Sequence, residues 1–216
     1  MIISPDEIKE YGDTTDKICI ICVGDDPEKE ERIITEDLGG HFIIGLKVDD
    51  WNADLSPWNA PPAFGEEPFG NGADELLGSL EKEIIPFIEE KYGHKVFLIA
   101  GYSLAGLFAL YSVYNSSCFA GAVAVSPSVW FPGWPEYVSD KKPNAGFIYL
   151  SLGNREENTK NNAMSCVGRN IRQMHELLLG QGIDTCLEWN EGGHFRDIPG
   201  RIQRGIVKGL EMYDRM

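Results

Sequence analysis

The sequence predicts an α/β fold in which a mainly parallel central sheet is covered by helices on both faces. Three observations predict it. Short continuous apolar runs alternate along the chain with longer segments of helical periodicity. The short runs are apolar at successive positions, as strands buried on both faces are. At 216 residues, 43% hydrophobic and 11% aromatic, the chain can bury a sizeable core and is too apolar for a disordered segment. A single domain over residues 1–216 is expected, with loop insertions at about 51–72 and 126–144.

Taken in order, the expected strands are Ile18 to Val23, Phe42 to Val48, Val96 to Ala100, Ala122 to Val125, Phe147 to Leu152 and Cys186 to Asn190. A helix is expected where Leu76, Leu77, Leu80, Ile84 and Ile88 share one face, opened by Asn71-Gly72, stopped at Gly93, and bent or broken late by Pro86. Met164, Val167, Ile171, Met174 and Leu178 recur at threes and fours before Gly180 and mark a second helix. Ile202, Ile206, Leu210 and Tyr213 mark a third at the carboxyl end. The segments Trp51 to Gly72 and Ser126 to Asn144 are rich in Pro, Gly and Trp and read as long loops with little regular structure.

A formal charge of −15 repels nucleic-acid backbones and anionic membrane surfaces, so neither is an expected partner, and it also serves as a solvated, solubilising surface. Met1-Ile2-Ile3-Ser4-Pro5-Asp6-Glu7 has no basic region followed by an apolar run, so no secretory leader is expected and the location is expected to be cytoplasmic. The five cysteines are odd in number and lie mostly in apolar stretches, as reduced thiols do. Cys19 and Cys22 form a CxxC, but three residues apart on a strand they point to opposite faces, so no metal site is expected there.

The segment Val96-Phe97-Leu98-Ile99-Ala100-Gly101-Tyr102-Ser103-Leu104-Ala105-Gly106 reads as strand, sharp turn and helix with a serine at the apex. Such a turn strains the serine backbone and brings the flanking chains so close that only tiny side chains fit two residues to either side, here Gly101 and Ala105. A nucleophilic serine needs a base. Of four histidines, His41, His94 and His175 suit solvent or packing, whereas His194 lies in the glycine loop Glu191-Gly192-Gly193-His194-Phe195 between the last strand and the last helix. A carboxylate should lie between them in chain order to orient the imidazole; Glu156 is the first choice and Glu157 the reserve, unless both are solvated acids at a helix start. Donors for a developing oxyanion are expected at the backbone N–H of Leu104 and, after the Val23-Gly24 turn, at that of Asp25. Trp51, Trp58, Trp130 and Phe195 could wall an apolar pocket or could only pin the long loops to the core.

With those residues in hand, the chain resembles the esterase family of the α/β-hydrolase superfamily that includes esterase D, enterochelin-esterase-like proteins and the mycolyltransferases. The resemblance rests on Gly101-Tyr102-Ser103-Leu104-Ala105-Gly106, Val125-Ser126-Pro127-Ser128, Leu152-Gly153 before Glu156, Gly193-His194, and the segment Trp51 to Trp58, with Ala105 where the usual motif has glycine. It implies a shortened α/β-hydrolase fold and a cofactor-free triad of Ser103, Glu156 and His194 with oxyanion donors at Leu104 and Asp25. It implies a small-molecule ester as substrate and an acyl-enzyme intermediate. Acyl transfer to another alcohol on the same triad, or a non-catalytic binding role on the same scaffold, are the alternatives.

Overall fold

The computed structural model describes residues 8–24, 38 and 40–216. Asp25, one of the expected oxyanion donors, lies outside the described residues. Seven strands form one sheet: β1 (Ile8–Tyr11), β2 (Ile18–Val23), β3 (Phe42–Leu46), β4 (Val96–Tyr102), β5 (Phe119–Val125), β6 (Phe147–Gly153) and β7 (Asp184–Asn190). Their order is β1-β3-β2-β4-β5-β6-β7, and only β1 runs antiparallel, against β3. The short Ile-Lys-Glu-Tyr stretch of β1 was not expected from the sequence, because an edge strand buries little and carries no apolar run.

The helices are α1 (Trp51–Asp54), α2 (Ala73–Ser79), α3 (Ile85–Tyr92), α4 (Leu104–Asn115), α5 (Trp134–Ser139), α6 (Val167–Gly180) and α7 (Ile198–Tyr213). The two long loops therefore hold more structure than expected. Asp50 caps the single turn of α1, its carboxylate accepting the Ala53 N–H at 2.9 Å, and α5 forms within the second loop. Pro86 does not end a helix late. A π-helical turn, Leu80–Ile84, lies between α2 and α3, with the Ile85 N–H reaching back to the Leu80 carbonyl, and Pro86 follows it at once in the first turn of α3. Among the described residues no helix is long and apolar enough to cross a membrane.

Alternation along the strands sorts the core into two layers. Cys19, Ile21, Val23, Phe97 and Ile99 pack with α2, α3, α4 and α6, whereas Ile20, Cys22, Leu98, Ala100 and Tyr102 pack with Ile202, Ile206 and Leu210 of α7. The two CxxC thiols thus lie in different layers, and burial pushes the Cys19 thiol well above its ordinary range. Helix α7 sits close against the sheet because two of its contact positions are glycine. A Cβ at Gly205 would lie 2.9 Å from Val125, and one at Gly209 would lie 2.5 Å from Val123. One turn before them on the same line is Arg201.

The sheet order also locates a crevice. The chain moves outward from β2 to β3, then returns to the other side of β2 to form β4, so the turns leaving the carboxyl ends of β2 and β4 diverge. Open α/β sheets bind ligands at such a switch point. Ser103 follows β4, and Gly24 follows β2.

Candidate active site

Ser103 occupies the turn between β4 and α4 at φ 58°, ψ −118°, a conformation that L side chains rarely adopt. Its N–H donates to Val125 at 3.0 Å, and its carbonyl accepts from Ser128 at 3.0 Å and Leu107 at 3.0 Å, so both neighbours hold the turn in place. The turn needs glycine at 101: a Cβ there would lie 2.3 Å from the Ala105 carbonyl oxygen. Leu104 opens α4, so its N–H has no acceptor one turn back and lies at the positive end of the helix dipole.

His194 is delivered by the loop between β7 and α7. Its Nε2 lies 2.9 Å from Ser103 Oγ and its Nδ1 lies 2.7 Å from Glu156 Oε2. The structure therefore brings Ser103, His194 and Glu156 together in one hydrogen-bonded line. Such a line lets an imidazole accept the serine proton while the carboxylate fixes its orientation. Of the other histidines, His41 pairs with Asp16 at 2.8 Å and His94 with Glu89 at 2.7 Å, far from this line. Glu157 points the other way and receives two hydrogen bonds from Arg172 on α6, each 3.1 Å.

Glu156 is 4% exposed, and both its oxygens are occupied. Oε1 accepts from the Gly153 N–H at 2.7 Å, Ser126 Oγ at 2.8 Å and Arg201 Nη1 at 2.9 Å. Burial is the largest single influence on its carboxyl and pushes it up. The hydrogen bond and charge of His194, with the Ser126 and Gly153 donors, together outweigh burial and hold it below the usual glutamate value. Gly153 must be glycine, because a Cβ there would lie 2.5 Å from the Gly192 carbonyl oxygen and 2.7 Å from Glu156 Oε1.

The sequence reading missed Arg201. It is 1% exposed, and besides Glu156 it donates to Tyr102 Oη at 3.2 Å, Ser126 Oγ at 3.3 Å, and the carbonyls of Glu191 and Gly193, each at 3.0 Å. Tyr102 in turn donates to the His194 carbonyl. The signal was present: an arginine beside Ile202, on the line that Gly205 and Gly209 continue across the core face of α7, is a charge where periodicity demands an apolar group.

Ser103 and Leu104 open into a cavity of about 590 Å³ whose walls include Trp51, Phe64, Phe69, Trp130, Met164 and Phe195. Trp51 also packs over Gly24, where a Cβ would lie 2.7 Å from its ring. Ser128 is buried within this cavity with its Oγ 3.4 Å from that of Ser103. Trp58, expected at the wall, is not there. Its Nε1 donates to the Pro132 carbonyl at 2.8 Å and its ring packs on Phe131 and Tyr137, so it ties the loop carrying it to the loop after β5. Phe64, Phe69 and Met164 take that place; the two phenylalanines lie in an aperiodic loop, and Met164 reads by its spacing as part of a helical face. Among the described residues no cluster of three or more His, Cys, Asp or Glu side chains could hold a metal ion.

Comparison with known proteins adds to this geometry. The curated Bacillus subtilis (strain 168) protein YbbA, itself uncharacterized, is 23% identical over 161 residues, covering 69% of this chain and 64% of YbbA. The chain thus spans less than two thirds of that relative's length. Siderophore hydrolase EstA from Aspergillus nidulans superposes with a TM-score of 0.67 at 20% identity, covering 92% of this chain and 84% of that one. The enterobactin esterase FES from Shigella flexneri, in the presence of enterobactin, gives 0.70 at 15% identity, covering 95% of this chain and 54% of that one. At these identities the superpositions establish a shared α/β-hydrolase-type fold. The family described as "Putative esterase" matches residues 28–194, which includes the Ser103 turn, Glu156 and His194, and the chain belongs to that family.

Proposed function

We propose that this chain is a serine hydrolase that cleaves carboxylic esters, with Ser103 as nucleophile, His194 as general base and acid, and Glu156 as the triad carboxylate. The hydrogen-bonded line from Ser103 through His194 to Glu156, at 2.9 and 2.7 Å, carries the reading. In the first half-reaction His194 Nε2 takes the Ser103 proton as Oγ attacks the ester carbonyl, and the resulting imidazolium is stabilised by Glu156. The Leu104 N–H receives the charge that develops on the carbonyl oxygen. His194 then gives its proton to the departing alkoxide, leaving an acyl-Ser103 ester and a free alcohol. In the second half-reaction the same imidazole activates water, which releases the acid and restores the serine.

The aromatic walls of the cavity favour an ester with an apolar or aromatic portion, and the sparse polar lining at its floor suits a single carbonyl. The family match and the superposition on siderophore and enterobactin esterases support this class of reaction. Hydrolysis of short-chain aryl esters and labelling by a fluorophosphonate probe test it. Both should be lost in Ser103→Ala with the circular dichroism spectrum unchanged. Turnover retained in that variant would remove Ser103 from the mechanism.

A further inference from the structure

Resting on the ester-hydrolase reading, a second role can be assigned at this site, to a residue that touches neither substrate nor serine. The Arg201 guanidinium spends its donors on both halves of the acid–base pair. Nη1 meets Glu156 Oε1 at 2.9 Å, while Nη2 holds the Glu191 and Gly193 carbonyls, each at 3.0 Å, in the turn that leads into His194. Guanidinium, carboxylate and imidazole therefore stand in line. A buried carboxylate without a cation would draw a proton onto the neighbouring imidazole, and an imidazole that already holds a proton cannot act as a base.

We propose that Arg201 is a positioning residue that balances the Glu156 charge beside the imidazole that takes the serine proton, while the same guanidinium clamps the loop that aims it. A merely structural arginine would anchor the loop and leave the imidazole's proton affinity alone.

Other groups face the pair. Tyr102 at the end of β4 bonds the His194 carbonyl, and burial raises its phenol above the ordinary value. Arg155 precedes Glu156 and lines the smaller cavity behind it, where Glu156 and His194 also contribute. On the histidine loop, Glu191 and Arg196 pair at 3.5 Å and Asp197 pairs with Arg204 at 3.1 Å, all of them largely exposed. Arg201 is distinguished from these by being both buried and in direct contact with the carboxylate.

The test is an NMR titration of the His194 imidazole, one of only four in the chain and assignable by its absence in His194→Gln. Glu156→Gln leaves Arg201 unopposed, and its His194 should titrate below wild type. The double variant Glu156→Gln with Arg201→Met carries neither buried charge, avoids an unpaired one, and should titrate back toward wild type. Arg201→Met alone should titrate above wild type, and Arg201→Lys, which keeps the charge, close to it. The acid limb of kcat/KM for an aryl ester should move in the same order wherever turnover is measurable. Equal titration of Glu156→Gln and the double variant would overturn the proposal. Absence of ester turnover and of fluorophosphonate labelling in the wild type would instead overturn the hydrolase reading, and the titration would still be readable.

Discussion

Replacing Ser103 by glycine should yield a dead but more stable protein than replacing it by alanine. At φ 58°, ψ −118°, the Ser103 Cβ crowds the surrounding backbone, and such conformations cost a non-glycine residue about 1–3 kcal/mol. Alanine keeps that cost and glycine removes it. Glycine in turn gives back about 0.4–1 kcal/mol through the greater freedom of its unfolded chain. Both variants lose the hydroxyl and its bond to His194, so that contribution cancels between them. The balance favours Ser103→Gly by about 1 kcal/mol, within about 0–2.6. For a domain of this size that is about 2–4 °C in Tm. Urea melts at a common pH, with slopes checked for equality, give the difference directly, and thermal melts give the Tm. If Ser103→Gly proves no more stable than Ser103→Ala, the turn is not strained in the way its dihedral angles indicate.

Other expectations follow from the same contacts. In Gly153→Ala the new Cβ would sit 2.5 Å from the Gly192 carbonyl oxygen, 2.7 Å from Glu156 Oε1 and 2.9 Å from Arg201 Nη2. That overpacking should cost about 1–3 kcal/mol in a denaturant melt, and the displaced carboxylate should lower kcat about 100-fold with a smaller change in KM. Glu156→Gln should lower kcat for an aryl ester by about 10³- to 10⁴-fold, whereas Glu157→Gln, which only breaks an exposed pair with Arg172, should leave kcat within about twofold. Because the folded-state pKa of Glu156 is depressed, its ionised form contributes stability that is fully present above the unfolded value and is lost as pH falls through the folded one. The stability advantage of wild type over Glu156→Gln should therefore shrink on acidification below the ordinary glutamate range. An advantage constant from neutral to strongly acid pH would contradict that sign.

The parts of the fold legible in the sequence are those whose causes are local. Buried parallel strands such as Ile18–Val23 and Phe147–Gly153 announce themselves as continuous apolar runs, and the Ser103 turn carries its own sterics in Gly101 and the small residues around it. His194 could be selected because a glycine-rich turn before the last helix is a local feature as well. What stayed illegible depends on distant partners. Glu156 and Glu157 are equivalent by spacing, and only the tertiary structure sends one toward His194 and the other toward Arg172. Trp58 and Trp130 look alike in composition, yet one is spent on the Pro132 carbonyl and the other faces the cavity. The polar edge strand β1 exists because β3 offers it an unpaired edge, which no pattern within Ile8–Tyr11 encodes.

The hydrogen bond from Trp58 to Pro132 joins two loops that are 74 residues apart in sequence, and Phe69 packs on Phe131 with ring centroids 5.1 Å apart across the same seam. Together they tie the two loops into an arch whose Phe69 and Trp130 wall the cavity. The reacting groups hang from other supports: a strand end, the turn after β6, and the loop tied down by α7. Roof and floor are thus separate constructions meeting at the cavity. An altered arch can admit a different ester without disturbing the proton path beneath it, so variation in selectivity among relatives of this chain should gather in the roof while the floor stays constant.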